Sequence, residues 1–332
     1  MKFFLINLNH DSNFESSYIK NKLLKKVDFL EINLEEIKNH QINDNLIVIY
    51  SGGDNEQQTK VKEIIKSYDL YLLIHLSDET LQHDLILYPK AKKIIRNYYN
   101  PRLQGNNIMT VPIGYKNQLE RDEVKSKDIN SRIYKWSFVG TMKNDRGRMV
   151  KKLKKLEPNF VHITESFFSE DHLKPTKYKN IISDSIFVLC PRGYSNFESF
   201  RIMESLENYS IPIFKREQFF DHLKPLYGDH IFITSYTWRG VSKKIRYFYK
   251  DKLALEKYFK DLMDWYEEYN ETLSVKINEF LRNDNSTLNR NKNINFEIFN
   301  FECSKLSFKI EIMFLNYISK IKKILKALYV KL

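Results

Sequence analysis

The sequence predicts an α/β protein made of two doubly wound, Rossmann-like domains that face each other across a cleft. Short apolar runs alternate with helix-like segments, the runs are continuously hydrophobic, and the alternation restarts after the polar stretch Asn117–Arg132. Continuous hydrophobicity is typical of strands buried on both faces of a parallel sheet. At 332 residues the chain is long enough for two domains, each with its own core.

The first series of strands predicts an N-terminal domain at residues 1–130. Its apolar runs are Lys2–Leu8, Asn45–Ser51, Asp69–Ser77 and Met109–Gly114. Helix-like segments, such as Asn55–Ser67, lie between the first three runs. This order of elements predicts a parallel sheet covered by helices.

The second series predicts a C-terminal domain at residues 131–282. Strands are expected at Ser137–Thr141, Asn159–Thr164, Ile186–Cys190, Ser210–Phe214 and His230–Tyr236. Helices are expected at Asp145–Leu156, Asp171–Ser183, Glu198–Glu207 and within Lys252–Phe280. Because such sheets bind ligands at the carboxyl ends of their strands, the loops after strands are where chemistry is expected.

The remaining residues, 283–332, predict a linker followed by a basic amphipathic helix. Asn283–Asn300 is rich in asparagine, which indicates a linker or loop. In Phe314–Leu332 apolar residues recur at helical spacing among five lysines, with no acidic residue. Such a helix can lie in an anionic membrane surface. It can also pack on the protein core and leave its lysines in solvent.

The formal charge of +12 indicates an anionic partner, which could be a nucleic acid, a membrane surface or a phosphorylated small molecule. No window is apolar for the 18 or so residues that a spanning helix needs. The apolar N-terminus is expected to be a first strand rather than an export signal. Two cysteines, Cys190 and Cys303, are too few for a disulfide framework and favour a reducing compartment. We therefore expect a cytoplasmic protein attached peripherally to the inner face of the membrane.

The segment FVLCPRGYSNFESFRIMESLENYSIPIF predicts a phosphate site. Arg192 and Gly193 follow an apolar strand, and Ser195 is a suitable residue to begin the next helix. Backbone donors at a helix start, beside an arginine, attract phosphate. Arg201 and Glu204 share one face of that helix among apolar neighbours, which favours a functional role. The alternative is a simple ion pair between them on a helix surface.

Several stretches share the pattern of one enzyme family. Cys-Pro-Arg-Gly is followed by Ser, Phe-Arg, Glu-Ser-Leu and Ile-Pro-Ile, and FVGTMKNDRGRMVKKL, HLSDE, IIRNYY and VPIGY lie upstream. Together they resemble the exostosin-type signature of family 47 glycosyltransferases, in a form similar to bacterial members, over Tyr50–Ser235. Tyr209 and Ser210 depart from the glycine-containing pair that is commoner at that turn. The resemblance implies the GT-B fold.

The resemblance also implies roles for donor-binding residues. Arg192 and Arg201 would neutralise the diphosphate of a nucleotide sugar, and Glu204 would hold ribose or sugar hydroxyls. Gly140 would let the backbone approach phosphate, and Arg146 would add positive charge. Enzymes of this fold usually need neither metal nor cofactor, and no paired-aspartate metal motif follows a strand in this sequence.

An inverting enzyme, as the resemblance implies, needs a base for the acceptor hydroxyl. Asp78 and Glu79 follow a buried strand and are equal candidates, although both also suit a helix start. His10 and Asp11 follow the first strand and are further acceptor-side candidates. His75 lies inside an apolar run, where a buried structural histidine is the commoner outcome.

The expected function is therefore metal-independent transfer of a hexose or pentose from a nucleotide sugar to an oligosaccharide or lipid-linked acceptor. Composition and the basic tail suggest bacterial surface polysaccharide synthesis. Two alternatives are a nucleic-acid-binding protein, which no recognisable motif supports, and a membrane-peripheral scaffold without catalysis.

Overall fold

The computed structural model of the protein describes residues 3–8, 14–42, 44–51, 65–81, 83, 85–100, 103, 105–121, 127–166, 169–193, 196–216 and 223–282. The predicted linker and basic helix at residues 283–332 lie outside the described residues, as does most of Asn55–Ser67. Among the helices that are described, none is long and apolar enough to cross a membrane.

A six-stranded parallel sheet with the order β2-β1-β3-β4-β5-β6 forms the N-terminal domain. Its strands are β1 (Phe3–Asn7), β2 (Phe29–Glu31), β3 (Leu46–Tyr50), β4 (Leu70–His75), β5 (Ala91–Arg96) and β6 (Ile108–Thr110). The continuously apolar strands β3 and β4 lie at the centre of the sheet, where every residue of β3 is buried. This confirms the prediction of strands covered on both faces.

The helical segments described in this domain are short. They are α1 (Ser16–Tyr18), which continues as a π-helix over Ile19–Leu23, and 3₁₀-helices at Leu34–Asn39 and Tyr88–Lys90. Asn33 and Glu36 form a capping box at the start of the first 3₁₀-helix, in which the Asn33 backbone N–H donates to Glu36 Oε2 at 2.8 Å.

The C-terminal domain contains a second parallel sheet, with five strands in the order β11-β10-β9-β7-β8. Its strands are β7 (Tyr134–Val139), β8 (Asn159–His162), β9 (Ser185–Leu189), β10 (Ile211–Lys215) and β11 (Ile233–Ser235). Its helices are α2 (Arg146–Leu153), α3 (Pro175–Ser183), α4 (Arg201–Glu207), α5 (Lys224–Tyr227), α6 (Trp238–Lys250) and α7 (Lys252–Arg282), and a 3₁₀-helix at Ile129–Ser131 precedes β7. The two sheets confirm the predicted pair of Rossmann-like domains.

Buried residues of both domains belong to one hydrophobic cluster. The long helix α7 contributes to it and reaches the first sheet, where the Tyr71 hydroxyl donates to the Leu281 carbonyl at 2.6 Å. The buried Glu207 carboxylate adds polar contacts between the domains, because it accepts from the Arg121 backbone N–H at 3.2 Å and pairs with Lys22 at 2.8 Å. Within its own domain it accepts from the Tyr266 hydroxyl at 2.6 Å. These contacts fix the two domains against each other.

The helix predicted to begin at Ser195 to Glu198 begins later, at Arg201. The side chain of Asn196 explains the difference, because its Oδ1 accepts from the backbone N–H groups of Phe197 at 2.8 Å and Glu198 at 3.4 Å. An asparagine that binds its own following backbone stabilises a turn in place of a helix. The helix therefore begins eight residues after Gly193, and the predicted phosphate site at its start stays a prediction.

Gly114→Ala is expected to destabilise the protein by about 3 kcal/mol. Gly114 has φ of +78°, and a Cβ there would lie 2.3 Å from Cγ of the buried Tyr18 ring. Gly147, in α2, has no atom within 4 Å of its added Cβ, so Gly147→Ala is a matched control that should be neutral or slightly stabilising. Urea unfolding measures both; equal losses of stability would contradict the steric argument.

Candidate functional site

A cavity of about 390 Å³ lies between the two domains. The first domain contributes residues that follow β4, β5 and β6, and the second contributes residues that follow β7, β8 and β9. The carboxyl ends of both parallel sheets therefore meet at this cavity. Doubly wound sheets bind their ligands at this edge, so the cavity is the candidate active site.

Three cations and two buried acids, Glu198 and Glu204, lie in the part of the cavity wall that the C-terminal domain forms. Lys143, Arg146 and Arg201 line it, and Lys116 lies on the opposite side. Burial, together with the neighbouring Arg201 charge, lowers the pKa of Arg146 to about 10. Cations in a cleft with low-dielectric walls attract anionic ligands.

Arg201 is held at the end of β7. Its Nη2 and Nε donate to the Val139 carbonyl at 2.6 and 3.0 Å, and its Nη1 donates to Ser199 Oγ at 3.0 Å. Gly140 makes room for this arrangement, because a Cβ there would lie 2.1 Å from Arg201 Nη2. The φ of Gly140, +146°, also disfavours any other residue. The predicted glycine and arginine thus form one structural unit.

Arg146 joins two loops of the cavity wall. Its Nη1 donates to the Thr141 carbonyl at 2.9 Å, and its Nη2 donates to the Arg192 carbonyl at 2.7 Å. Gly193 lines the cavity beside it. The Arg192 side chain is not among the cavity residues, and its guanidinium carbon lies 4.9 Å from the centre of the Phe197 ring. Ser195 lies outside the described residues.

Glu204 lines the cavity although it is almost completely buried. The Tyr178 hydroxyl donates to its Oε2 at 2.9 Å, and its Oε1 has no hydrogen-bond partner among the described residues. Glu204 and Arg201 bind different groups, so the simple ion pair considered from the sequence does not form. The structure therefore brings both side chains to the cavity with separate partners.

The adjacent acids Asp78 and Glu79 have different surroundings. Glu79 lines the cavity, and its Oε1 accepts from the Asn196 backbone N–H of the other domain at 3.2 Å. Asp78 is buried behind it, where its Oδ2 pairs with the fully buried Arg96 at 3.0 Å. Its Oδ1 accepts from the His83 backbone N–H at 3.1 Å. Of the two predicted bases, only Glu79 faces the cavity.

His75 belongs to a hydrogen-bond network beneath this loop. Its Nδ1 lies 2.9 Å from the Tyr88 hydroxyl, which accepts from Arg96 Nη1 at 3.1 Å, and its Nε2 lies 3.1 Å from His83 Nδ1. The side chains of His75, Asp78 and His83 each have an atom that could coordinate a metal ion, and these atoms lie within 4.8 Å of one another. Arg96 already pairs with Asp78 and the imidazoles bond each other, so we interpret the group as a structural network.

Glu198 and Tyr98 are among the cavity residues that the sequence did not predict for the site. Glu198 lines the cavity and contacts both domains, and Tyr98 lines it with a left-handed backbone, at φ of +59°. Glu198 had been interpreted as a helix-start residue, and its position between two phenylalanines was the available signal. His10 and Asp11 lie outside the described residues.

Comparisons with known proteins place the chain beside glycosyltransferases. The family model of the RXYLT1 C-terminal domain matches residues 115–285, which are 171 of the 332 residues. A search of curated proteins finds no matching relative. A crystal structure of an α1,3-fucosyltransferase is 13% identical, with a TM-score of 0.52 over 85% of this chain and 91% of that chain. This likeness confirms the GT-B fold.

Two further solved structures are similar at lower scores. A glycosyltransferase from Rickettsia africae ESF-5 is 10% identical, with a TM-score of 0.49 over 85% of this chain and 99% of that chain. AviGT4, a glycosyltransferase involved in avilamycin A biosynthesis, is 9% identical, with a TM-score of 0.48 over 85% of this chain and 98% of that chain.

Proposed function

The chain belongs to the exostosin-like family of the RXYLT1 C-terminal domain, and we propose that it transfers a hexose or pentose from a nucleotide sugar to a saccharide acceptor. The observation that carries this proposal is the cavity between the domains. It combines cations on the C-terminal domain with the Glu79 carboxylate on the N-terminal domain. Assignment to family 47, in its bacterial form, stays a prediction.

On the donor side, Arg201 and Arg146 would stabilise the negative charge that develops on the leaving diphosphate. Both guanidinium groups are anchored on backbone carbonyls, so they are oriented before a ligand arrives. Glu204 Oε1, which has no partner among the described residues, would accept from a ribose or sugar hydroxyl. Gly193 would complete this side, and Arg192 would act through its backbone carbonyl, which holds Arg146. A role for Ser195 stays a prediction.

For the chemistry we propose an inverting displacement. The acceptor hydroxyl oxygen forms a bond to the anomeric carbon as the bond to the diphosphate oxygen breaks, and Glu79 takes the hydroxyl proton. The support for Glu79 is its place in the cavity wall. Asp78 holds the loop through Arg96 and does not contact substrate in this mechanism.

We propose that transfer needs no metal ion or cofactor, because protein cations can neutralise the diphosphate themselves. Treatment with EDTA is therefore expected to leave the rate of transfer unchanged within about twofold. Activity lost to EDTA and restored by Mg²⁺ or Mn²⁺ would contradict this part of the proposal. If Zn²⁺ restores the activity, a zinc site at His75, Asp78 and His83 would be indicated.

For the acceptor we propose an oligosaccharide or lipid-linked glycan of a bacterial surface polysaccharide, such as capsule or lipopolysaccharide. The lysine-rich sequence of Phe314–Leu332 supports attachment to an anionic membrane from the cytoplasmic side. Flotation with anionic liposomes should recover the full chain and lose a chain that ends near Asn300. Equal recovery would contradict the membrane proposal alone.

Thermal unfolding with UDP, GDP and CMP, followed by turnover of a panel of nucleotide sugars, tests the central proposal. At least one nucleotide should raise the unfolding temperature, and its sugar conjugates should be hydrolysed or transferred. If no nucleotide stabilises the protein, the enzyme proposal fails. A salt-dependent gel shift in that case would favour nucleic-acid binding. If the protein shows neither stabilisation by a nucleotide nor a gel shift, a membrane scaffold without catalysis would be favoured.

A further inference from the structure

Glu198 has an unusual arrangement of hydrogen bonds for a carboxyl group in a cavity wall. The Ile113 backbone N–H of the N-terminal domain donates to its Oε1 at 3.0 Å, and so does the Tyr227 hydroxyl at 3.0 Å. Its Oε2 is buried and has no partner among the described residues, although the residue lines the cavity. Both protein donors therefore meet one oxygen and leave the other for a ligand.

This arrangement suits a neutral carboxylic acid better than a carboxylate. Glu198 is only 2% exposed, and an isolated buried charge is costly. Burial raises the pKa of Glu198 to about 8, while the hydrogen bonds from Ile113 and Tyr227 act in the opposite direction. In the neutral form Oε1 is the carbonyl oxygen that accepts both bonds, and Oε2 carries a proton that it can donate.

The groups around Glu198 are consistent with this protonation state. Burial is the main cause that raises the pKa values of four neighbouring tyrosines, and a negative charge on Glu198 would act in the same direction; the four are Tyr18, Tyr98, Tyr227 and Tyr269. The other charged residues of the cavity wall are Glu79, Glu204, Lys116, Lys143, Arg146 and Arg201. Burial remains the largest influence on Glu198, ahead of any of these groups.

We propose that Glu198 is a neutral acid that donates a hydrogen bond from Oε2 to a phosphate oxygen of the bound nucleotide sugar. This inference rests on the proposed function. The phosphate is chosen because Glu198 lies in the same loop as the proposed donor site. The backbone carbonyl oxygen of Glu198 lies 3.0 Å from the position that a Cβ would take on Gly193. The next residue, Ser199, accepts a hydrogen bond from Arg201. A carboxylate at this position would repel phosphate, whereas a carboxylic acid attracts it.

The first arm of the test needs no ligand. It compares the pH dependence of urea unfolding in the wild type and Glu198→Gln, since glutamine keeps both the accepting and the donating atom at all pH values. A group whose pKa is raised by folding stabilises the folded state fully at pH values below its unfolded-state pKa near 4.5. This stabilisation is lost as the pH rises through the folded-state pKa of about 8. The stability of the wild type relative to Glu198→Gln should therefore fall across this window. If the difference in unfolding free energy between the two proteins does not change with pH, the proposal that Glu198 is a neutral acid would be overturned.

The second arm measures dissociation constants of UDP and GDP from pH 7 to 9. Because binding needs the proton on Glu198, wild-type affinity should weaken about tenfold between pH 7 and 9. Glu198→Gln should bind at pH 7 within about threefold of wild type and change less than twofold with pH. Glu271→Gln, an exposed glutamate on α7, is the matched control and should follow the wild type.

The outcomes separate the two proposals. Identical pH profiles for wild type and Glu198→Gln, or loss of binding in a folded Glu198→Gln protein, would overturn the hydrogen bond to phosphate. If neither UDP nor GDP binds the wild type, the phosphate contact falls along with nucleotide-diphosphate binding. The unfolding arm would still support or overturn the neutral acid.

Discussion

Arg201→Ala is expected to lower kcat/KM for sugar transfer by about 100- to 1,000-fold. The guanidinium is fixed by the Val139 carbonyl and Ser199 at the cavity wall, so it is oriented toward charge on a leaving diphosphate. Removing one oriented donor from a transition state typically costs about 3 kcal/mol. Arg201→Lys should recover little of the lost kcat/KM. An ammonium lacks the planar donor geometry with which the guanidinium can bind the Val139 carbonyl and a ligand at the same time. Steady-state kinetics over a range of donor concentrations measure both variants.

Arg246→Ala is the control for this prediction. Arg246 is an exposed arginine on α6 and does not line the cavity. Its removal makes the same change in net charge, so transfer should stay within about twofold of wild type. Thermal unfolding must show that Arg201→Ala is folded, since Arg201 also binds the end of β7. A folded Arg201→Ala protein with wild-type kinetics would remove Arg201 from the proposed site.

The central strands were predictable because they are continuously apolar, whereas β5 was not among the predicted strands. Its sequence, AKKIIR, contains two lysines and ends at an arginine. The structure accommodates Lys93 through a long-range contact, in which its ammonium lies 5.0 Å from the centre of the Phe280 ring on α7. A stabilising partner so distant in the chain cannot be inferred from local hydrophobicity.

The site shows the same limit. Arg201 and Glu204 could be predicted to act together because one short segment places both between buried strands, and Gly140 fits that unit in the structure. The different surroundings of Asp78 and Glu79 depend on Arg96, which lies 18 residues beyond Asp78. Glu198 acquires its importance from Ile113, in the loop after β6, and from Tyr227, on α5. Long-range partners decide which acid is structural and which faces a ligand.

That difference between neighbouring acids leads to the second large effect. Glu79→Gln is expected to lower kcat by about 1,000-fold with little change in KM for the donor, because the amide cannot accept the hydroxyl proton. Stability should change by less than about 1 kcal/mol, since glutamine retains an oxygen that can accept from the Asn196 backbone N–H. The measurements are steady-state kinetics and urea unfolding of the same preparation.

Asp78→Asn should show the opposite result to Glu79→Gln, with a large loss of stability and a small loss of turnover. It leaves the buried Arg96 guanidinium without its opposite charge, and breaking such a pair costs about 3 kcal/mol. Stability should therefore fall markedly, while kcat per folded molecule should fall less than tenfold. If Asp78→Asn instead abolished turnover in a stable protein and Glu79→Gln retained it, the two roles would be exchanged. Arg96 would then be a group that positions and ionises the base, and the network of His75 and Tyr88 beneath it would belong to the catalytic apparatus.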